Sequence, residues 1–116
     1  MKRAISSVLL TICIGAWANT SQFDQITAKA LAGDYQAQRN LAFGYSSSPY
    51  DGQEKNPMLA CAWRLVILNS GSPKVDDTDV SNKQLYCGRL NADQLSAATA
   101  QARNLYRTVY RTKASF

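Results

Sequence analysis

The strongest restriction on the fold is a pair of cysteines, Cys61 and Cys87, which lie 26 positions apart in a chain of 116 residues. The N-terminus, which contains Cys13, has the pattern of an export signal, so after its removal the two remaining thiols are expected in an oxidising compartment, where an even number favours a disulfide. Closing a loop of this length contributes about 3.5 kcal/mol in the chain-entropy model, a large share of the stability of a small domain. The sequence therefore predicts a Cys61–Cys87 disulfide.

The first 18 residues read as a secretory signal peptide. Lys2 and Arg3 supply the positive start, the segment from Ile5 to Ile14 is mostly apolar, and small residues flank a cleavage position near Asn19. An uncleaved anchor is disfavoured because the apolar run is shorter than the roughly 20 residues of a membrane span. We expect a bacterial periplasmic or secreted protein with no stable membrane insertion after cleavage.

Cys13 leaves lipidation open as an alternative, although the bulky Ile12 before it is a poor cleavage residue. Residues 19–116 are enough for one domain and too few for two. Lys and Arg number five against seven Asp and Glu between Asn19 and Asn82, and six against one from Lys83 onward. The net charge of +3 after cleavage is far from that of a dedicated nucleic-acid binder, so no nucleic acid partner is expected.

Five helical segments follow from apolar residues at helical spacing and from capping residues. The first runs over Phe23–Ala32 and ends at Gly33, the second is capped by Asp34, and the third runs over Met58–Asn69 after Asn56 and Pro57. The fourth begins at Asp76, Asp77 and Asp79. The last is capped by Asn91 and has an apolar face formed by Leu95, Ala98, Ala102, Leu105 and Val109. No segment shows sustained alternation typical of strands. The expected fold is all-α, a small domain of antiparallel helix hairpins with one disulfide.

Two further features refine this expectation. Between Leu59 and Leu68 only Arg64 is charged, which predicts that this helix forms the buried centre. The serine-rich segment from Ser46 to Gly52 predicts a loop. The acidic run from Asp76 to Asp79 suits a helix start better than a calcium loop, because it lacks the required glycine and distal glutamate.

The spacing Ala30-x-x-Gly33-Asp34-x-x-Ala37-Gln38-x-x-Leu41-Ala42-x-x-Tyr45, followed by Asn56-x-x-x-Ala60-x-x-Trp63 and Gly71, resembles the Sel-one-like repeat of the tetratricopeptide superfamily. The segment from Leu90 to Ala98 is similar to the closing helix after the last such repeat in secreted bacterial proteins. The resemblance implies that small side chains at Ala37 and Ala60 let two helices approach, with Leu41, Tyr45 and Trp63 between them. It departs from the family in its Ser46–Gly52 turn and in having one full repeat, which is too short for a long superhelical groove.

No histidine occurs in the chain, which excludes Ser-His and Cys-His nucleophiles and leaves two thiols without the partners of a zinc site. No cofactor or metal is expected. Asp51 and Glu54 are the nearest approach to a catalytic carboxylate pair, but solvated loop charges are the simpler interpretation. The chain is therefore not expected to be an enzyme.

The most distinctive surface pattern is Arg103, Arg107 and Arg111, spaced to share one face of the last helix, with Tyr106 and Tyr110 beside them. Arginine and tyrosine are enriched at binding hot spots, so we expect a protein partner there. A solvated basic face at the negative end of the helix dipole is the alternative interpretation. Tyr50, beside Pro49 in the predicted loop, is a second candidate contact.

These features favour a periplasmic adaptor that binds another protein without catalysis. One alternative is an immunity protein that neutralises a toxin acting in the periplasm. A second is a structural envelope protein whose arginines bind anionic lipid or polymer. The identity of the partner and the oligomeric state do not follow from the sequence.

Overall fold

The computed structural model describes residues 20–116. This part of the chain forms five α-helices and contains no strand: α1 (Gln22–Leu31), α2 (Tyr35–Ser46), α3 (Pro57–Leu68), α4 (Asp77–Gly88) and α5 (Ala92–Tyr110). The expected all-α fold is confirmed. The predicted signal peptide and the candidate lipidation residue Cys13 lie outside the described residues.

Three of the helices begin at the capping residues that the sequence predicts, whereas α1 begins one residue before the predicted Phe23, with Ser21 as its cap. Asp34 accepts a hydrogen bond from the backbone N–H of Ala37, and Asn56 and Asn91 cap α3 and α5 in the same way. Each cap satisfies a backbone donor that the first helical turn leaves without a partner. Gly33 has a φ of +94°, the left-handed conformation in which glycine ends a helix without steric cost.

α3 is the centre of the fold, as its apolar sequence predicts. It packs against α2, α4 and α5, while α1 packs against α2 and part of α5. The buried core combines small side chains with a few large ones, listed as Ala30, Ala37, Leu41, Ala42, Ala60, Ala62, Trp63, Val66, Tyr86 and Ala102. Small residues at Ala37 and Ala60 leave room for close helix approach, with Leu41 and Trp63 filling the remaining space.

The Cys61–Cys87 disulfide is confirmed, with an S–S distance of 2.06 Å. It joins the buried side of α3 to the last turn of α4. α4 packs chiefly against α3, so this bond fixes the helix that packs against the fewest other helices.

None of the helices between residues 20 and 116 combines the length and apolarity that crossing a membrane requires.

The loop between α2 and α3 is held by Gln53, a buried side chain that the sequence did not point to. Its Nε2 donates to the carbonyl of Leu41 at 3.2 Å, and its Oε1 accepts from the N–H of Tyr50 at 3.1 Å. The side chain fits there because α2 has a glycine at position 44. A Cβ on Gly44 would lie 2.8 Å from Gln53 Cδ and even closer to Oε1.

Gly44→Ala is therefore expected to destabilise the protein, although alanine is the better helix former by about 1 kcal/mol. Displacing Gln53 leaves buried polar groups unpaired, at a cost of about 1–3 kcal/mol for each. We expect urea denaturation to give a lower free energy of unfolding for this variant. Gly88→Ala is the control, since its Cβ would meet no atom within 4 Å, and it should leave that free energy unchanged or raise it. Equal stabilisation by both substitutions would contradict the role of Gln53.

Candidate functional site

A shallow groove opens where α2, α3 and α4 meet. It has a volume of about 360 Å³ and is lined by Gln36, Arg39, Asn40, Phe43, Arg64, Asn82 and Tyr86. Spacing along α2 explains the first four, because residues three and four apart share a helix face. The lining is mainly polar, with two guanidinium groups, three amides and one exposed phenylalanine, a composition suited to binding.

Arg64 is the unusual member of this lining. It lies in the central helix and is only 3% exposed, yet its Nε and Nη1 have no hydrogen-bond partner within residues 20–116. The guanidinium stacks on the ring of Tyr86, with 4.6 Å between Cζ and the ring centroid, and Nη2 donates to the Tyr86 hydroxyl at 3.4 Å. No carboxylate of the described chain forms an ion pair with it. Arg64 therefore holds a buried positive charge without a counter-charge.

Arg39, the second arginine of the groove, does have a counter-charge. Its Nε lies 3.5 Å from Oδ1 of Asp79, and Asp79 is only 1% exposed. The other carboxylate oxygen of Asp79 accepts from the Tyr35 hydroxyl and from the N–H of Asp76. Asp79 thus connects the start of α4 to α2, and this connection sets the position of the groove wall that carries Asn82 and Tyr86.

The hydrogen bond between Tyr35 and Asp79 requires a protonated phenol. Burial raises the pKa of Tyr35 above its ordinary value, and the hydrogen bond to Asp79 raises that pKa further, because a phenolate beside a carboxylate is disfavoured. Burial also raises the pKa of Tyr45, which lies on α2. Tyr35 therefore remains a donor well above neutral pH, and its link between α2 and α4 is kept throughout the physiological range.

The three arginines predicted to share one face of the last helix do not all lie on the helix. α5 ends at Tyr110, and Arg111 caps it in the left-handed conformation, so only Arg103 and Arg107 lie on the helix itself. Nε of Arg103 donates to the carbonyl of Phe116 at 2.6 Å. All three arginines are exposed to solvent.

The tyrosines beside those arginines take part in packing. Their rings are 4.8 Å apart, Tyr106 contacts Phe116 edge-on, and both tyrosines are half-buried against the core. The Tyr110 hydroxyl also accepts from Nε2 of the buried Gln38. Part of each of these two tyrosines is therefore occupied by intramolecular contacts.

Tyr50 lies in the loop before α3, half-buried and fixed by its backbone bonds to Gln53. Asp51 and Glu54 are exposed in the same loop. The sequence did not predict the groove, although Arg64 stands out in it as the only charged residue of an apolar helix. That isolated charge was the available signal, since an arginine is almost never fully buried unless it is paired.

The fold and the groove define a small, disulfide-bonded, all-α protein with the buried positive charge of Arg64 in a polar groove. Comparisons of the chain with protein-family models, with curated proteins and with solved structures found no match. The resemblance to the Sel-one-like repeat therefore stays a prediction.

Proposed function

We propose that this protein is a periplasmic binding module that recognises another protein through the groove and has no catalytic activity. The observation that supports this proposal is the unpaired guanidinium of Arg64 in the groove lining. The predicted signal peptide and the disulfide are consistent with an exported protein.

The energetic argument is that an unpaired buried charge lowers stability. A guanidinium cannot lose its proton at the pH at which proteins fold, so burial cannot be relieved by neutralisation. Replacing buried ionic groups with apolar ones of similar volume is often neutral or stabilising by about 1–4 kcal/mol. Arg64 therefore lowers stability in the free protein, and a partner that supplies an acceptor for its guanidinium would relieve that cost.

Arg64→Met tests this argument with two measurements on oxidised residues 19–116. We expect the free energy of unfolding to be unchanged or higher, because the stacking on Tyr86 is exchanged for apolar contact while the buried charge is removed. We also expect the variant to lose a stoichiometric protein partner that the parent retains from an envelope extract. Loss of stability without loss of binding would show a structural role for Arg64 and would contradict the proposal.

Arg89→Met is the matched control. Arg89 also lies over the Tyr86 ring, at 5.9 Å, but it is exposed and lines a separate pocket. This variant loses the same charge and should retain the partner. Arg107→Glu/Arg111→Glu tests the basic end of α5 in the same experiment. Partner loss only in that double variant would move the interface to α5, and capture of lipid or polymer alone would favour the structural envelope alternative.

A further inference from the structure

We infer that the groove binds the side-chain carboxylate of an aspartate or glutamate of the partner, with an apolar partner residue beside it on Phe43. This inference rests on the proposed binding function and adds the chemistry of the recognised group. It starts from the two guanidinium nitrogens of Arg64 that have no acceptor within the described chain. Nε–H and Nη1–H lie on different edges of the guanidinium, so a planar carboxylate bridges one of them and Nη2, and it takes the place of the 3.4 Å bond from Nη2 to the Tyr86 hydroxyl.

The charges of the groove favour a group with one negative charge. Its lining contains two arginines, and one carboxylate, Asp79, lies against Arg39. The groove therefore carries an excess of one positive charge, located at Arg64. A single carboxylate neutralises that excess, whereas a doubly charged phosphate would place uncompensated negative charge near Asp79.

The rest of the lining defines what surrounds the carboxylate. Gln36, Asn40 and Asn82 supply amide donors and acceptors around the groove. Phe43 is 50% exposed and lies in the groove lining, where it offers a partner residue an apolar contact. An acidic side chain next to an apolar one meets both conditions.

Access to Arg64 requires a local rearrangement. Its Nε and Nη1 are shielded from solvent, although the residue lines the groove. A carboxylate reaches them only when a neighbouring side chain of the groove changes its rotamer. Water is then excluded when the carboxylate enters, which strengthens the ion pair.

The test is a titration of the oxidised protein with three capped tetrapeptides, followed through the Arg64 Nε–Hε signal in ¹H–¹⁵N NMR spectra. The peptides are acetyl-Ser-Glu-Phe-Ser-amide, its Gln-Phe analogue and its Glu-Ser analogue. We expect the Glu-Phe peptide to shift the signal saturably, with a Kd at least tenfold lower than that of either analogue. Arg64→Lys should abolish peptide binding, which is then measured through the backbone amide signals of α2. Phe43→Ala should remove the preference for the Glu-Phe peptide over the Glu-Ser peptide. Arg89→Met should change neither the binding nor the preference.

Inorganic phosphate is the second probe, because a general anion site would accept it equally well. Equal responses to phosphate and to the Glu-Phe peptide, equal affinity for the Glu and Gln peptides, or no saturable shift would each overturn the inference. A partner captured in an Arg64-dependent manner would still support the proposed function in those cases. A carboxylate-specific shift together with no captured protein would support the inference while removing the support for a protein-binding role.

Discussion

Replacing both cysteines, in Cys61→Ala/Cys87→Ala, is expected to lower the free energy of unfolding by about 3.5 kcal/mol. The bond closes a loop with a sequence separation of 26 residues, and without it the unfolded chain regains the entropy of that loop. For a domain of this length the expected fall in Tm is roughly 15 °C or more. Both sulfur atoms are buried beside Ala98, so the variant also loses apolar contacts.

In the same variant, the groove wall formed by α4 should unfold before the rest of the protein. α4 supplies Asn82 and Tyr86 to the groove and packs chiefly against α3. Hydrogen exchange should therefore show the largest loss of protection in α4, while α2 and α3 remain protected. Thermal unfolding followed by circular dichroism, with and without reductant, measures the global effect. Reductant should lower the Tm of the parent and leave the variant unchanged, whereas equal Tm values for parent and variant would contradict the prediction.

The helix boundaries could be predicted because they depend on local chemistry. Asp34, Asn56 and Asn91 each satisfy a backbone donor three residues ahead, and this interaction needs no knowledge of the fold. The disulfide was predictable for a different reason, since removal of the predicted signal peptide takes away Cys13 and leaves Cys61 and Cys87 as one possible pair. The central position of α3 followed from its nearly uniform apolarity.

The groove could not be predicted in this way because its contacts connect distant parts of the chain. Tyr35 and Asp79 are separated by 44 positions and Arg64 and Tyr86 by 22. The sequence indicated that Asp79 belongs to a helix start, which it does, but its contacts with Tyr35 and Arg39 depend on how α4 packs. Periodicity also overestimated the apolar face of α5, where Leu95 is 39% exposed because the first turn extends beyond the core.

Asp79→Ala is expected to lower the free energy of unfolding by about 2–3 kcal/mol. Removing one partner of a fully buried ion pair costs about 3–5 kcal/mol, and a smaller loss is expected here because the Arg39 side chain is 28% exposed and water can solvate it. The substitution also leaves the Tyr35 hydroxyl and the Asp76 N–H without their acceptor. Chemical denaturation measures the loss.

Asp77→Ala separates this network from ordinary helix-start electrostatics. Asp77 lies in the same first turn of α4 and carries the same charge, but it is exposed. Its removal should cost only the interaction with the helix dipole, about 0.3–1 kcal/mol. Asp79→Asn should fall between the two, because the amide oxygen still accepts one hydrogen bond while the charge facing Arg39 is lost. A cost for Asp79→Ala no larger than that for Asp77→Ala would mean that α4 is held by the disulfide and apolar packing alone.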